Sequence, residues 1–166
     1  MTEMGITVGV GRTHMYYKGT PEFPFGHGLS YSDWEIQILA RPQLLSVGGS
    51  NTTTISTIEV AVTNNGPLPG SETILIFWKP SNCNGGHPRI RQKLVGFEST
   101  GHLDVGATRY LLFDFEWKDF ALYVNGKKDQ LLPCDNIIEA RISNEKRVST
   151  VLERIMAPPG DDSSAF

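Results

Sequence analysis

Cysteine is scarce, at two in 166 residues. Neither Cys83 nor Cys134 has a CxxC partner, and His87 beside Cys83 is too little for a zinc site, so no metal is expected. The two are read as free thiols in loops. The alternative, a single disulfide, needs an oxidising compartment and Cα atoms within about 7 Å of each other. Long apolar runs are also missing. Nothing approaches the roughly 20 residues that cross a bilayer as a helix, which excludes a membrane-spanning helix. There is no basic stripe either: 15 Lys and Arg are scattered among 18 Asp and Glu for a net charge of -3. That argues against a nucleic-acid partner. The opening Met1–Thr7 has no basic stretch followed by an apolar one, so no signal peptide is expected within the chain. No segment keeps a convincing helical period.

What is present is β-type patterning. With 39% hydrophobic and 20% charged residues, the chain is long enough for one core plus extensions. Trp34, Ile36 and Ile38 alternate with Glu35 and Gln37, and Ile58, Val60 and Val62 with Glu59, Ala61 and Thr63. Leu111, Phe113 and Phe115 alternate with Leu112 and Asp114, and Ile138, Ala140 and Ile142 with Glu139 and Arg141. Ile74 to Trp78 is a continuous apolar run. Such alternation puts one face of each strand on a core and the other in water. Turn residues separate the segments: Val47-Gly48-Gly49-Ser50, Asn64-Asn65-Gly66-Pro67, Asn84-Gly85-Gly86 and Asn125-Gly126. The last predicts a hairpin between Leu122–Val124 and Lys127–Leu132. Short strands at this spacing predict an all-β, two-sheet sandwich. The stretch from Val148 to Met156 reads as a last strand or a helical turn.

Three regions follow. Residues 1–28, rich in Gly and Pro, read as an extended linker, residues 29–156 as the sandwich, and residues 157–166 as a frayed tail.

The linker carries the most specific pattern. Gly11-Arg12-Thr13, then Phe23-Pro24-Phe25-Gly26-His27-Gly28-Leu29-Ser30-Tyr31, resembles the joint that leads into the C-terminal fibronectin type III-like domain of family 3 glycoside hydrolases. Further pieces in order match that domain. They are Thr63-Asn64-Asn65-Gly66 with Gly70-Ser71-Glu72, the strand Ile74–Pro80, and Gln92–Glu98 followed by His102-Leu103 and Gly106. Together they span residues 11 to 143, and the form of the strand at Ile74 is similar to that of plant-type β-xylosidases. The resemblance implies an immunoglobulin-like or fibronectin type III-like sandwich, residues 1–28 including a remnant of a preceding α/β domain. It also implies a non-catalytic accessory role in a secreted β-xylosidase-like or β-glucosidase-like parent. The implied partners are that parent's catalytic domains and plant cell-wall polysaccharide, with no cofactor.

Residues that invite a catalytic reading have plainer explanations. A retaining glycosidase needs two carboxyl groups about 5 Å apart. Ser32-Asp33-Trp34 is similar to the family's nucleophile triplet, but here it enters the first sandwich strand, so Trp34 is expected to pack and Asp33 to be solvated. Glu59, Glu72, Glu98, Asp104, Asp114, Glu116, Asp119 and Glu139 fall on polar strand faces or turns and are expected in water. His14, His27, His87 and His102 pair with no Ser or Cys in a recognisable elbow, and no catalytic residue is assigned. A carbohydrate-binding module is the alternative function. It needs a platform of exposed rings, for which Trp78, Trp117, Phe120 and Tyr123 are candidates, Trp78 being the one in phase with the core. Asn51-Thr52-Thr53 is a glycosylation sequon.

Overall fold

A computed structural model describes residues 11–39, 54–83, 90–124, 127–130, 134–143 and 146–152. Strands β1 (Asp33–Ile38), β2 (Thr54–Gly66) and β5 (Thr108–Glu116) form one antiparallel sheet in the order β1-β2-β5. Strands β3 (Thr73–Ser81), β4 (Lys93–Ser99), β8 (Asp135–Arg141) and β9 (Arg147–Leu152) form the other, in the order β4-β3-β8-β9. Strands β6 (Leu122–Val124) and β7 (Lys127–Gln130) pair as a hairpin. Three strands facing four is the sandwich that the alternation predicts.

Register explains the core. Ile58 lies opposite Phe113 and Val60 opposite Leu111, while Ile76 lies opposite Ala140 and Trp78 opposite Ile138. Directly opposed residues share a face, so each pair turns inward together. Every expected core residue is buried: Ile36, Ile58, Val60, Val62, Ile74, Ile76, Leu111, Phe113, Ile138 and Ala140, with Trp34 and Phe115 beside them. The buried Trp78 indole N–H donates to Asn136 Oδ1 at 2.9 Å, which satisfies a polar atom that burial would otherwise penalise. Arg147–Leu152 is a strand, which settles the open reading for Val148 to Leu152; residues 153–156 lie outside the described residues.

The motif residues act as fasteners. Ser30 Oγ accepts the Trp34 indole N–H at 2.9 Å, so the Ser of Gly-Leu-Ser-Tyr fixes the first core tryptophan. Asn64, fully buried, donates from Nδ2 to the carbonyls of Leu68 (2.9 Å) and Leu103 (3.1 Å), and its Oδ1 accepts the Gly66 N–H at 2.9 Å. It ties its own turn to the loop at Leu103, which bridges Gly70.

Three expectations are corrected. Cys83 and Cys134 are not free thiols: they are bonded, with Cα atoms 4.1 Å apart. They sit just beyond the last paired residues of β3 and β8, Ser81 and Asp135, so sheet register delivers the proximity. Trp117 is interior rather than exposed. It opens a single 3-10 turn, Trp117–Phe120, closed by the Glu116 N–H donating to Asp119 Oδ2 at 2.8 Å. Glu72 and Glu139 are buried rather than solvated. Glu72 accepts the Ser143 hydroxyl at 2.7 Å and the Thr73 N–H at 2.9 Å, while Glu139 is closed in by Arg141 and Lys79. The turns at Val47–Ser50, Asn84–Gly86 and Asn125-Gly126, the sequon at Asn51, residues 1–10 and the stretch 153–166 lie outside the described residues.

Candidate functional site: the strapped face of the four-stranded sheet

Strand β3 buries both faces. Ile74, Ile76 and Trp78 face the core, and the opposite phase carries Leu75 and Phe77, paired with Arg141 and Glu139 of β8. Phe77 is nonetheless fully buried, because residues 13–28 lie across this outer face as a strap. The strap begins with one helical turn, Thr13–Tyr16. Its Met15 carbonyl accepts the Arg91 N–H at 2.6 Å, and the Gly28 N–H donates to the Ser143 carbonyl at 3.0 Å. Arg91 Nη1 donates to the carbonyls of Tyr17 (3.2 Å) and Gly19 (3.1 Å). His14 stacks on Phe25 at 4.3 Å, and both rings meet Phe77 at 6.2 Å near edge-on, a favoured aromatic geometry. Gly26 has φ +85°, and a Cβ there would run into Leu75. The motif therefore requires glycine at that position.

Covering a charged strand face has electrostatic consequences. Glu139 bonds Arg141 Nη2 through Oε1 (2.5 Å) and Lys79 Nζ through Oε2 (3.0 Å). Burial pushes its carboxyl up, but the hydrogen bonds from Arg141 and Lys79 and their charges outweigh that and hold it below the usual range. The Arg141 guanidinium lies over the Phe77 ring at 4.5 Å and also donates to Gln92 Oε1 at 3.2 Å. Burial, and then the charge of Arg141, lowers the pKa of His14, which favours the neutral imidazole under the strap. Removing residues 1–28 uncovers Phe77, so the deletion is expected to cost about 2–3 kcal/mol, the burial of one aromatic side chain. Urea unfolding checks this, and an unchanged midpoint would mean that the strap is a passive linker.

The residues that the sequence singles out as candidates are dispersed rather than gathered. Asp33 is exposed and bonded to Lys146 Nζ at 2.5 Å, and that hydrogen bond lowers its pKa. His27 is exposed in the strap with its ring 5.1 Å from Phe23, and His102 lies 3.9 Å from Asp104 at the surface. His87 lies outside the described residues. Trp78, Trp117 and Phe120 are interior, so these three rings build no sugar platform; the Tyr123 side chain is outside the described set. Two large residues just past the strap instead face water almost completely, Leu29 (96% exposed) and Tyr31 (91%). Alternation arguments had no means of finding Arg91, Arg141 and Arg147, which meet only once the sheet is paired.

No family model matches the chain. It is similar to β-xylosidase/α-L-arabinofuranosidase 1 of Medicago sativa subsp. varia, 30% identical over 53% of this chain and 13% of that protein. It is likewise similar to the exo-α-(1→6)-L-arabinopyranosidase of Bifidobacterium longum, 26% identical over 89% of this chain and 18% of that protein. Among solved structures, the β-glucosidase from Kluyveromyces marxianus in complex with glucose superposes with a TM-score of 0.63 at 25% identity, over 81% of this chain and 15% of that one. The chain spans between 10% and 19% of the length of the curated relatives it matches.

Proposed function

We propose that this chain, a fibronectin type III-like sandwich of the kind carried by family 3 β-xylosidases and β-glucosidases, is the non-catalytic accessory domain of such an enzyme. In this reading it braces the domains that hydrolyse the glycosidic bond. The observation that carries the reading is the match itself: between 53% and 89% of this chain aligns with only 10–19% of each curated relative compared. The strap supports it from the physical side. Its inner residues hold the sandwich, and Leu29 and Tyr31 stand in water at the point where the strap passes into β1. A contiguous exposed apolar patch marks an interaction surface; Leu29 and Tyr31 are proposed to belong to one, with the domain that precedes this one in the relatives as its partner. An extracellular parent is part of the proposal, supported by the Cys83–Cys134 bond, since such bonds persist in oxidising compartments.

The surface is testable on the chain itself. The full chain is expected to self-associate at high concentration or to bind a hydrophobic dye. The double variant Leu29→Ser, Tyr31→Ser should relieve both with no change in thermal midpoint. Sedimentation velocity and dye fluorescence read the result. A chain that stays monomeric and binds no dye, indistinguishable from the variant, would remove the docking surface from the proposal.

A further inference from the structure

Two arginines stand directly opposite each other on the outer face of the four-stranded sheet: Arg141 of β8 is paired in register with Arg147 of β9. Like charges placed that way destabilise an antiparallel pair. A third guanidinium, Arg91, opens onto the same cavity of about 570 Å³ between sheet and strap. Compensation is thin. Glu139 is the carboxylate on Arg141, and Lys79 shares it. None of the described residues lining the cavity is acidic. The Arg141 Nε–H is buried and finds no partner among the described residues. The cavity therefore holds an excess of positive charge that the described part of the fold does not balance.

Its other walls narrow the chemistry. The hydroxyl-bearing Thr13, Thr20 and Tyr17 line one part, and the rings of Phe23 and Phe25 another. The volume lies within the usual range of small-molecule sites, well above what a single inorganic anion fills. Guanidinium groups recognise carboxylates through paired hydrogen bonds, hydroxyl groups suit a hydroxylated body, and aromatic rings suit its apolar face. We propose that this cavity binds a small hydroxylated organic acid of the sugar-acid class. Its carboxylate sits among Arg91, Arg141 and Arg147, and its ring lies against Phe23 and Phe25. The site consists of this chain's residues alone and is independent of any brace function.

The test uses the full chain, titrated with D-glucuronate as probe and with glucose and sulfate as controls, followed by calorimetry and by backbone NMR shifts. Glucuronate is expected to bind with shifts centred on residues 13–25, 91, 141 and 147, at least tenfold more tightly than glucose or sulfate. Arg147→Gln, at an exposed position, should weaken glucuronate at least tenfold while the ligand-free thermal midpoint holds or rises, because the opposed charges are relieved. Phe23→Ala should weaken glucuronate and leave any sulfate binding unchanged. The proposal is overturned if glucuronate does not bind, if glucose or sulfate binds as tightly, or if Arg147→Gln keeps the parent affinity.

Discussion

Truncating Phe113 to alanine is expected to lower the unfolding free energy by about 3–5 kcal/mol, the largest effect of any single change considered. Phe113 sits in the middle of β5, opposite Ile58, 6% exposed. Across the sandwich it reaches Gly96, where an added Cβ would come within 3.3 Å of its ring. The two sheets therefore meet through this side chain, and neighbouring strands held by their own ladders collapse poorly into the space it leaves. Ile76→Ala, on the facing strand, should cost about 2–5 kcal/mol for the same reason. Either loss is a large part of the net stability of a domain this size. Urea unfolding of both variants measures it. If both keep the parent midpoint, the inward phases assigned to β3 and β5 are wrong.

Opening the Cys83–Cys134 bond should cost nearly as much. The two cysteines are 51 residues apart in sequence, and closing a loop of that length in the unfolded chain corresponds to about 4 kcal/mol in the chain-entropy account. The double variant Cys83→Ser, Cys134→Ser, compared with the oxidised parent in urea, reads the loss. Adding reductant to the parent should reproduce it. Equal midpoints for oxidised parent and variant would show that pairing of β3 with β8 already holds this edge without the covalent link.

Alternation made most of the sandwich legible in the sequence, because it reports one simple fact about each residue, its side of a pleated strand. It placed Ile58, Val60, Val62, Leu111, Phe113, Ile138 and Ala140 in the core, and all are there. The same rule failed at Glu139. An outward phase means water only when no partner takes its place, and Lys79 reaches Glu139 only once β3 is paired with β8, with Arg141 on its other oxygen. Trp117 was a candidate surface ring because a loop between turn-forming charges can expose it, whereas the Glu116–Asp119 bond closes a turn in which the ring is buried. The disulfide and the Arg141–Arg147 pair are both products of register, and register between β3, β8 and β9 is invisible until the sheet is assembled. The strap and the residues just past it carry five aromatic rings, Tyr16, Tyr17, Phe23, Phe25 and Tyr31. The structure divides the aromatic groups into rings that pack, such as Phe25 on His14, and rings that do not, such as Tyr31.

The central claim, that this sandwich assists a glycosidase without performing the hydrolysis, is tested most directly by measuring nitrophenol release from aryl β-xyloside and β-glucoside with the full chain at high protein concentration. The account predicts no release above the protein-free control, with the parent chain and Asp33→Asn indistinguishable, because Asp33 is an exposed group engaged with Lys146 at the start of a structural strand. Turnover by the parent chain that disappears in Asp33→Asn would contradict it.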